Sequence, residues 1–338
     1  MGGMAGDRVQ RIEATGLTRS RMDAALAAVR RVMPPTPLVE SASLSDLLGR
    51  PVWLKLESVT PIRAFKVRGA VAKAAEMEEE GLEGGLVTAS AGNHGLAVAF
   101  AGRRLGRSAT VFAPEKANPV KVAAMRAQGA EVVLGGSTFH DLAAKAYAFA
   151  DATGARWVHP FDDPTVIAGA STVGREIVDA LPDVEQVVVP IGGGGLASGV
   201  AAALAVGAPS ARLVGVQMDG ADAMIRSLAQ GRVVALDRVN TIADGLAPGT
   251  VSERTLGIVG ASAEVVVRLA DDDLFPAMRL LLERERVLAE PSAAASVAAL
   301  LSGEVRGTGP VVAVITGANV TMAHLARVME TPLPAGIA

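Results

Sequence analysis

Lys66 lies in the segment Ala64-Phe65-Lys66-Val67-Arg68-Gly69-Ala70, at the start of a helical pattern and in a mainly apolar neighbourhood. Desolvation and a helix N-terminus both disfavour an ammonium, so a lysine placed there suits a nucleophilic amine. Most lysines are solvated surface charges, and position alone leaves that reading open. Further on, Val187-Val188-Val189-Pro190-Ile191 runs into Gly192-Gly193-Gly194-Gly195, and Leu196-Ala197-Ser198-Gly199-Val200 continues in helical pattern. Four glycines let the backbone approach a ligand closely, and the following helix offers free N–H groups and a positive dipole end to a phosphate. A plain tight turn competes. So does a dinucleotide loop, because Gly192, Gly194 and Ala197 satisfy the loose fingerprint and Asp219 could serve as its acidic residue. The loop follows several earlier strands, which disfavours the dinucleotide reading. A third segment, Ser90-Ala91-Gly92-Asn93-His94-Gly95, offers small residues, N–H groups and an amide to a carboxylate or a ring oxygen. Its alternative is an ordinary N-cap and turn.

The elements that must position these residues follow from periodicity. Strands are expected at Val52–Glu57, Leu86–Ser90, Ala109–Ala113, Glu131–Leu134, Arg156–Pro160, Gln186–Ile191, Arg212–Gln217, Glu264–Leu269 and Val311–Thr316. Helical patterns fill the gaps at Phe65–Glu80, Leu96–Leu105, Pro119–Gln128, Thr138–Ala152, Thr165–Leu181, Leu196–Val206 and Leu274–Glu285. Pro119 opens one helix, Gly129 closes it, and Gly154, Gly207 and Gly231 follow others. This rhythm predicts an α/β fold with mostly parallel sheets wrapped by helices, in two lobes with ligands outside the carboxyl ends of the strands.

Composition narrows the function. The chain has 338 residues, half of them apolar, and a net charge of −3. That length buries a real core, and the mixed charge gives no basic stripe for nucleic acid and no polybasic face for a membrane surface. A small-molecule partner is expected. There is no cysteine, which excludes disulfides and thiolate chemistry and fits a reducing cytoplasm. Residues 1–23 carry four arginines but no apolar signal core. The uncharged run Gln186–Ser210 contains Pro190 and the four glycines, so a strand, loop and helix fit it better than a membrane span.

Taken together, Lys55-Leu56-Glu57, Phe65-Lys66-Val67-Arg68-Gly69-Ala70, Ser90-Ala91-Gly92-Asn93-His94, the four glycines and Thr316-Gly317-Ala318-Asn319 stand in the order and spacing of the fold-type II pyridoxal-phosphate enzymes. The chain resembles the threonine dehydratase and serine racemase group. Residues 114–134, His159-Pro160-Phe161-Asp162-Asp163-Pro164 and Ile242-Ala243-Asp244-Gly245 extend the likeness over residues 35 to 330. The resemblance implies a two-lobed, tryptophan synthase β-like fold, with residues 1–75 and 158–338 in a large domain and 76–157 in a small one. It implies pyridoxal 5'-phosphate as cofactor, with Lys66 as the Schiff-base lysine that also shuttles the α-proton. Phe65, Asn93, Gly192, Gly193, Gly194, Gly195, Gly245, Glu290 and Thr316 would complete the cofactor site. Within that set Asn93 would bond the ring oxygen, the glycines would cradle the phosphate, Thr316 would face the pyridine nitrogen and Glu290 would approach the ring edge. Ser90, Ala91, Gly92, Asn93, His94 and Arg63 would meet the substrate. The implied reaction is loss of water and ammonia from a β-hydroxy amino acid, threonine or serine before hydroxyaspartate or phenylserine, to give a 2-oxo acid. A cytoplasmic homodimer would be usual.

Departures from the group's pattern refine this. Racemases of the group have a serine at Ala91, and a methyl group cannot exchange a proton, so Ala91 favours a lyase. The carboxylates of the group's divalent-metal site are replaced by Gln217 and Ala223, so no metal is expected. Before the lysine the group usually reads Gln, any residue, Thr, Gly, Ser, Phe, Lys, whereas this chain has Thr60-Pro61-Ile62-Arg63-Ala64-Phe65-Lys66. Arg63 is suited to a second carboxylate in forked geometry, or equally belongs to a rearranged surface turn. Ala318 and Leu96 are milder changes, and Glu290-Pro291-Ser292 also reads as a plain helix start. His140, His159 and His324 are taken as structural or exposed. A serine hydrolase is disfavoured because Gly195-Leu196-Ala197-Ser198-Gly199 lacks the nucleophile-elbow spacing. A non-enzymatic binding module would need no buried lysine, and a β-replacement synthase would normally carry Asp after the lysine. No room is left after Glu330 for a regulatory domain, so feedback control through one is not expected.

Overall fold

The computed structural model describes residues 2–136 and 138–334. Its ten strands are β1 (Leu38–Glu40), β2 (Val52–Leu56), β3 (Leu86–Ala89), β4 (Ala109–Ala113), β5 (Glu131–Leu134), β6 (Arg156–Trp157), β7 (Gln186–Pro190), β8 (Arg212–Met218), β9 (Ala263–Leu269) and β10 (Val311–Ile315). They form a six-stranded sheet in the order β1-β2-β10-β7-β8-β9 and a four-stranded sheet in the order β5-β4-β3-β6. All neighbours are parallel except β1, which runs antiparallel to β2. Strands β7 and β10 are buried at every residue, which is why they read as continuous apolar runs. Edge strand β9 instead mixes exposed and buried positions and carries Glu264 and Arg268, charges that discourage further pairing.

The segments singled out in the sequence lie at the carboxyl ends of parallel strands. β2 leads to residues 57–66, β3 to Ser90–Asn93, β7 to the glycines and β10 to Thr316. Within such sheets the ends of the strands form the natural ligand crevice. Helix Pro164–Ala180 organises the region, being buried along most of its length. It packs on one side against helix Val67–Glu79, which Lys66 begins, and on the other against helix Gly195–Gly207, which the glycine loop begins. Glycine permits both approaches: a methyl group at Gly169 would lie 2.5 Å from the Arg68 carbonyl, and one at Gly199 would lie 2.6 Å from the Ser171 nitrogen. One central helix therefore brings together two loops separated by more than a hundred residues of chain.

One expected strand is shortened. Only Arg156–Trp157 of the stretch 156–160 pairs with β3. Beyond it the ladder ends with the Val158 N–H, which donates to the Val87 carbonyl at 2.8 Å; the Val158 carbonyl accepts from Thr88 Oγ1 and lies 2.9 Å from His94 Nε2, and the Pro160 carbonyl accepts from Lys66 Nζ. Proline also has no N–H to give a ladder. Helix Asn93–Arg104 starts three residues earlier than periodicity suggests, because its first turn is small and polar. Helices Gly2–Glu13, Arg19–Val32 and Ala42–Leu48 and strand β1 were not expected. Helix Arg19–Val32 buries a short stripe, half of it alanine, with Ala25 and Ala28 beside Leu26 and Val29, so its apolar face is faint in the sequence. The run Gln186–Ser210 resolves into β7, the loop and a helix, and among the described residues no helix is long and apolar enough to cross a membrane.

Candidate active site

The geometry starts from a buried ionic quartet. Arg68, two residues after Lys66, is fully buried and forks onto two carboxylates: Nε and Nη2 donate to Glu57 at 2.7 and 2.8 Å, and Nη1 and Nη2 to Glu176 at 2.7 and 2.8 Å. Lys55 Nζ donates to the same Glu176 at 2.6 Å and to the Thr36 carbonyl at 2.6 Å. Two cations and two anions thus close on each other in the interior, where charge is tolerated only when paired and hydrogen-bonded. Burial by itself would strip Arg68 of its proton more readily, but Glu57 and Glu176 reverse the effect and raise its pKa.

Lys66 sits above this base as the cap of helix Val67–Glu79. Its Nζ donates 2.7 Å to the Pro160 carbonyl, and no carboxylate among the described residues pairs with it. The side chain is half-buried, and the loss of hydration pushes its pKa down to about 8. Burial alone accounts for the shift. A neutral amine is therefore accessible near neutral pH, as a nucleophile or proton carrier requires.

Pro160 and the next residue join Lys66 to the glycine loop. A methyl group at Gly193 would fall 2.3 Å from the Phe161 ring, and one at Gly195 would fall 3.0 Å from Phe161 Cα. At Gly192 the obstacle is the Gly245 carbonyl, 2.8 Å away, and Gly194 adopts a left-handed φ of +94°. A side chain at Gly192, Gly193 or Gly194 would force its neighbours to move, and one at Gly195 would crowd Phe161. The backbone cradle so formed opens helix Gly195–Gly207, whose N-terminus attracts an anion. The Gly245 N–H is fixed by Ser292 Oγ at 3.0 Å.

On the far side, Asn93 Nδ2 donates to Glu290 Oε1 at 2.8 Å, and Asn319 Nδ2 donates to Asn93 Oδ1 at 2.7 Å and to the Ile62 carbonyl at 3.0 Å. The Asn319 N–H donates to Glu290 Oε2 at 3.1 Å. Burial and the nearby Asp244 raise the Glu290 pKa to about 7 against the pull of these donors. Asn93 keeps one amide hydrogen uncommitted. Thr316 is buried; its carbonyl accepts from the Phe65 N–H at 3.0 Å, and no described residue bonds its hydroxyl. Ala64 bridges Gly317, so the segment after β10 and the loop before Lys66 are stitched together.

Four named residues behave differently. Ser90 Oγ turns onto the Gly92 N–H at 3.2 Å, and His94 is buried against the Val158 carbonyl with its pKa pushed down to about 3 by burial. Arg63 is exposed, pairs with no described carboxylate and holds a left-handed φ of +60°. Gln217 spends its amide on the backbone, donating to the Ile191 carbonyl and accepting from the Ile225 N–H. Asn319, Pro160 and Phe161 belong to the site but were not picked as site residues from the sequence. They stood inside segments already noted, and their signal was adjacency to Thr316 and to His159.

The arrangement offers a glycine cradle at a helix N-terminus that attracts an anion, an amine with no carboxylate partner among the described residues, and an uncommitted Thr316 hydroxyl. A phosphorylated carbonyl compound is the class of ligand that the cradle and the amine together would accept. The pyridoxal-phosphate dependent enzyme family matches residues 29–317, and the chain belongs to that family. The L-threonine ammonia-lyase of Geobacter sulfurreducens is 39% identical over 308 residues, 91% of this chain and 77% of the relative. That of Thermotoga maritima is 38% identical over 94% of this chain and 79% of its own length. Among solved structures, the processed threonine deaminase isoform 2 of Solanum lycopersicum superposes with TM-score 0.85 at 35% identity, covering 92% of both chains. Maize serine racemase superposes with TM-score 0.86 at 30% identity, covering 92% of this chain and 96% of the other.

Proposed function

We propose that the protein is an ammonia-lyase that converts L-threonine, and L-serine beside it, to the 2-oxo acid and ammonia. The observation that carries the reading is the Lys66 amine, which among the described residues donates to the Pro160 carbonyl alone and is set beside the glycine cradle through Pro160 and Phe161. In this assignment Lys66 holds the cofactor, Gly192 to Gly195 hold its phosphate, and Gly245, Phe65 and Glu290 border the ring. Asn93 supplies its uncommitted amide hydrogen to the ring oxygen. Pyridoxal phosphate, when bound, supplies an electron sink for the bond broken at the α-carbon.

The residues then divide the work. The Ser90–His94 loop receives the substrate carboxylate at the N-terminus of helix Asn93–Arg104. Lys66, freed once the substrate amine takes its place on the cofactor, would take the α-proton and return it to the departing β-hydroxyl, which leaves as water; the released product then adds water and loses ammonia. Thr316 offers a hydroxyl, which does not hold a pyridine nitrogen protonated as a carboxylate would, and this favours β-elimination over transamination. At Ala91 a methyl group has no proton to return to the other face, which supports a lyase over a racemase. Longer-range features complete the proposal: lobes of residues 76–157 and of the flanking segments, and a cytoplasmic homodimer.

The test is 2-oxo acid release by purified protein with added cofactor from L-threonine, L-serine, threo-3-hydroxyaspartate and phenylserine. Turnover of threonine or serine is expected; silence on all four would overturn the lyase assignment.

A second reading of specificity rests on Arg63. A non-glycine residue at left-handed φ costs about 1 kcal/mol, and such cost persists where a side chain is needed. An unpaired guanidinium next to Ala64 and Gly317 suits a substrate with a second carboxylate. Arg63→Gly should leave threonine turnover within about twofold, because Gly fits that backbone. Any hydroxyaspartate activity should be lost with it. Equal activity on the acidic substrate in both proteins would make Arg63 a surface turn.

A further inference from the structure

We propose that His159 is a positioning residue whose imidazole, acting as a hydrogen-bond acceptor, knits the turn that aims the Pro160 carbonyl at Lys66 and seats Phe161 beneath the glycine loop. The proposal rests on the reading of Lys66 and the glycines as the cofactor site. His159 Nδ1 lies 2.7 Å from the Asp162 nitrogen and 3.2 Å from the Phe161 nitrogen. Both are backbone N–H groups, which can only donate, so Nδ1 must be an unprotonated acceptor and the ring proton must sit on Nε2.

Bonds from one side-chain acceptor to the N–H groups two and three residues ahead are what Asn or Asp makes at a helix cap or Asx-turn. Here a histidine makes them. The span it closes contains the two contacts that link the halves of the site: Lys66 Nζ to the Pro160 carbonyl at 2.7 Å, and Phe161 against the space where a Gly193 side chain would stand. The ring is held edge-on by Phe161 at 4.7 Å and Trp157 at 6.1 Å between centroids.

The far end of the turn is also anchored. Asp162 accepts from Arg254 Nε at 2.9 Å, and Asp163 caps the central helix through the Thr165 and Val166 N–H groups at 2.8 and 3.1 Å. The histidine acceptor therefore sits between two anchored ends of the turn. Burial pushes the His159 pKa down to about 4, so the acceptor state persists at neutral pH.

The distinguishing experiment compares His159→Asn with His159→Leu. The Asn oxygen occupies the place of Nδ1 and can accept the same two bonds, whereas Leu fills space without accepting. Cofactor affinity is read by titrating apo protein with pyridoxal 5'-phosphate, and the lysine's ionisation by the pH profile of cofactor capture. His159→Asn should bind within about threefold of wild type, and His159→Leu should lose about tenfold or more, the scale of one or two missing buried hydrogen bonds. The midpoint of capture should move in the Leu variant alone. Equal affinity and pH profile in wild type and Leu would overturn the proposal. So would an Asn variant that binds cofactor normally but loses turnover, which would make the ring a proton carrier.

Nitrogen NMR of histidine-labelled wild-type protein tests the tautomer without any variant. A protonated Nδ1 on His159 at neutral pH would end the proposal even if His159→Leu does not fold. Should wild type capture no cofactor at all, the assignment of the site fails, while the tautomer still decides the turn.

Discussion

Lys66→Ala should lose at least about four orders of magnitude in turnover, the combined scale of removing a nucleophile and an acid–base group. It should also lose the absorbance change that pyridoxal 5'-phosphate undergoes on joining an amine. Residual cofactor binding through the glycine cradle should survive, because no backbone contact of Gly192–Gly195 depends on the lysine side chain. Arginine should not rescue, since guanidinium stays protonated at any relevant pH. A variant retaining more than about 1% of turnover would remove Lys66 from the reaction.

The lowered pKa of Lys66 adds a thermodynamic signature. Folding depresses a basic group here, from 10.5 to about 8, so between those values the unfolded chain binds more protons than the native protein. Stability of the apo protein from this group therefore rises with pH from about 8 to 10.5, and below pH 8 the full cost of the buried ammonium is present. Lys66→Met removes that cost. The apo variant should melt higher than wild type at pH 7, with the gap closing toward pH 10.5. A pH-independent gap would show that the amine is hydrated.

The largest effect on stability is expected from Arg68→Met. The change fills the space but, among the described residues, leaves buried Glu57 with no ion pair and buried Glu176 with Lys55 alone. Breaking a buried ion network from one side costs about 3–5 kcal/mol, far more than the network contributes over an apolar replacement. Denaturant unfolding should show that loss, and a loss below about 1 kcal/mol would mean the carboxylates take up protons or water at little cost. Arg68→Lys should recover only part, because one ammonium cannot fork onto two carboxylates. Burial alone would raise the Glu176 pKa, but hydrogen bonds and charge from Arg68, with Lys55, lower it. That contribution to stability is present above the carboxylate's unfolded value and is lost as pH falls through the lower native value, so wild type should be the more acid-sensitive protein. Because Arg68 follows Lys66 by two residues, weaker cofactor binding should accompany the stability loss.

Much of this was legible along the chain, for local reasons. β-Branched runs announced the sheets because parallel strands are buried on both faces, and the four glycines announced a cradle because nothing larger fits under Phe161 and Gly245. Lys66 was visible as an apolar-flanked helix start, and the resemblance joined it to Asn93 and Thr316. Residues 156–160 look β-like throughout in isolation, but pairing ends at the Val158 N–H, because the Val158 carbonyl answers to Thr88 and His94, the His159 ring to the backbone of Phe161 and Asp162, and the Pro160 carbonyl to Lys66.

By itself, then, the sequence determined the α/β class, the parallel connectivity, the glycine loop and the candidate lysine, all written in periodicity and residue type within a few positions. Tertiary structure alone decided that Arg68 meets Glu176 from 108 residues away and that Asn319 reaches Asn93 from 226. It also decided that His159 serves a turn as an acceptor. Hydrogen-bond partners and burial depend on which segments the central helix draws together, and no local pattern encodes the distance between residues far apart in the chain.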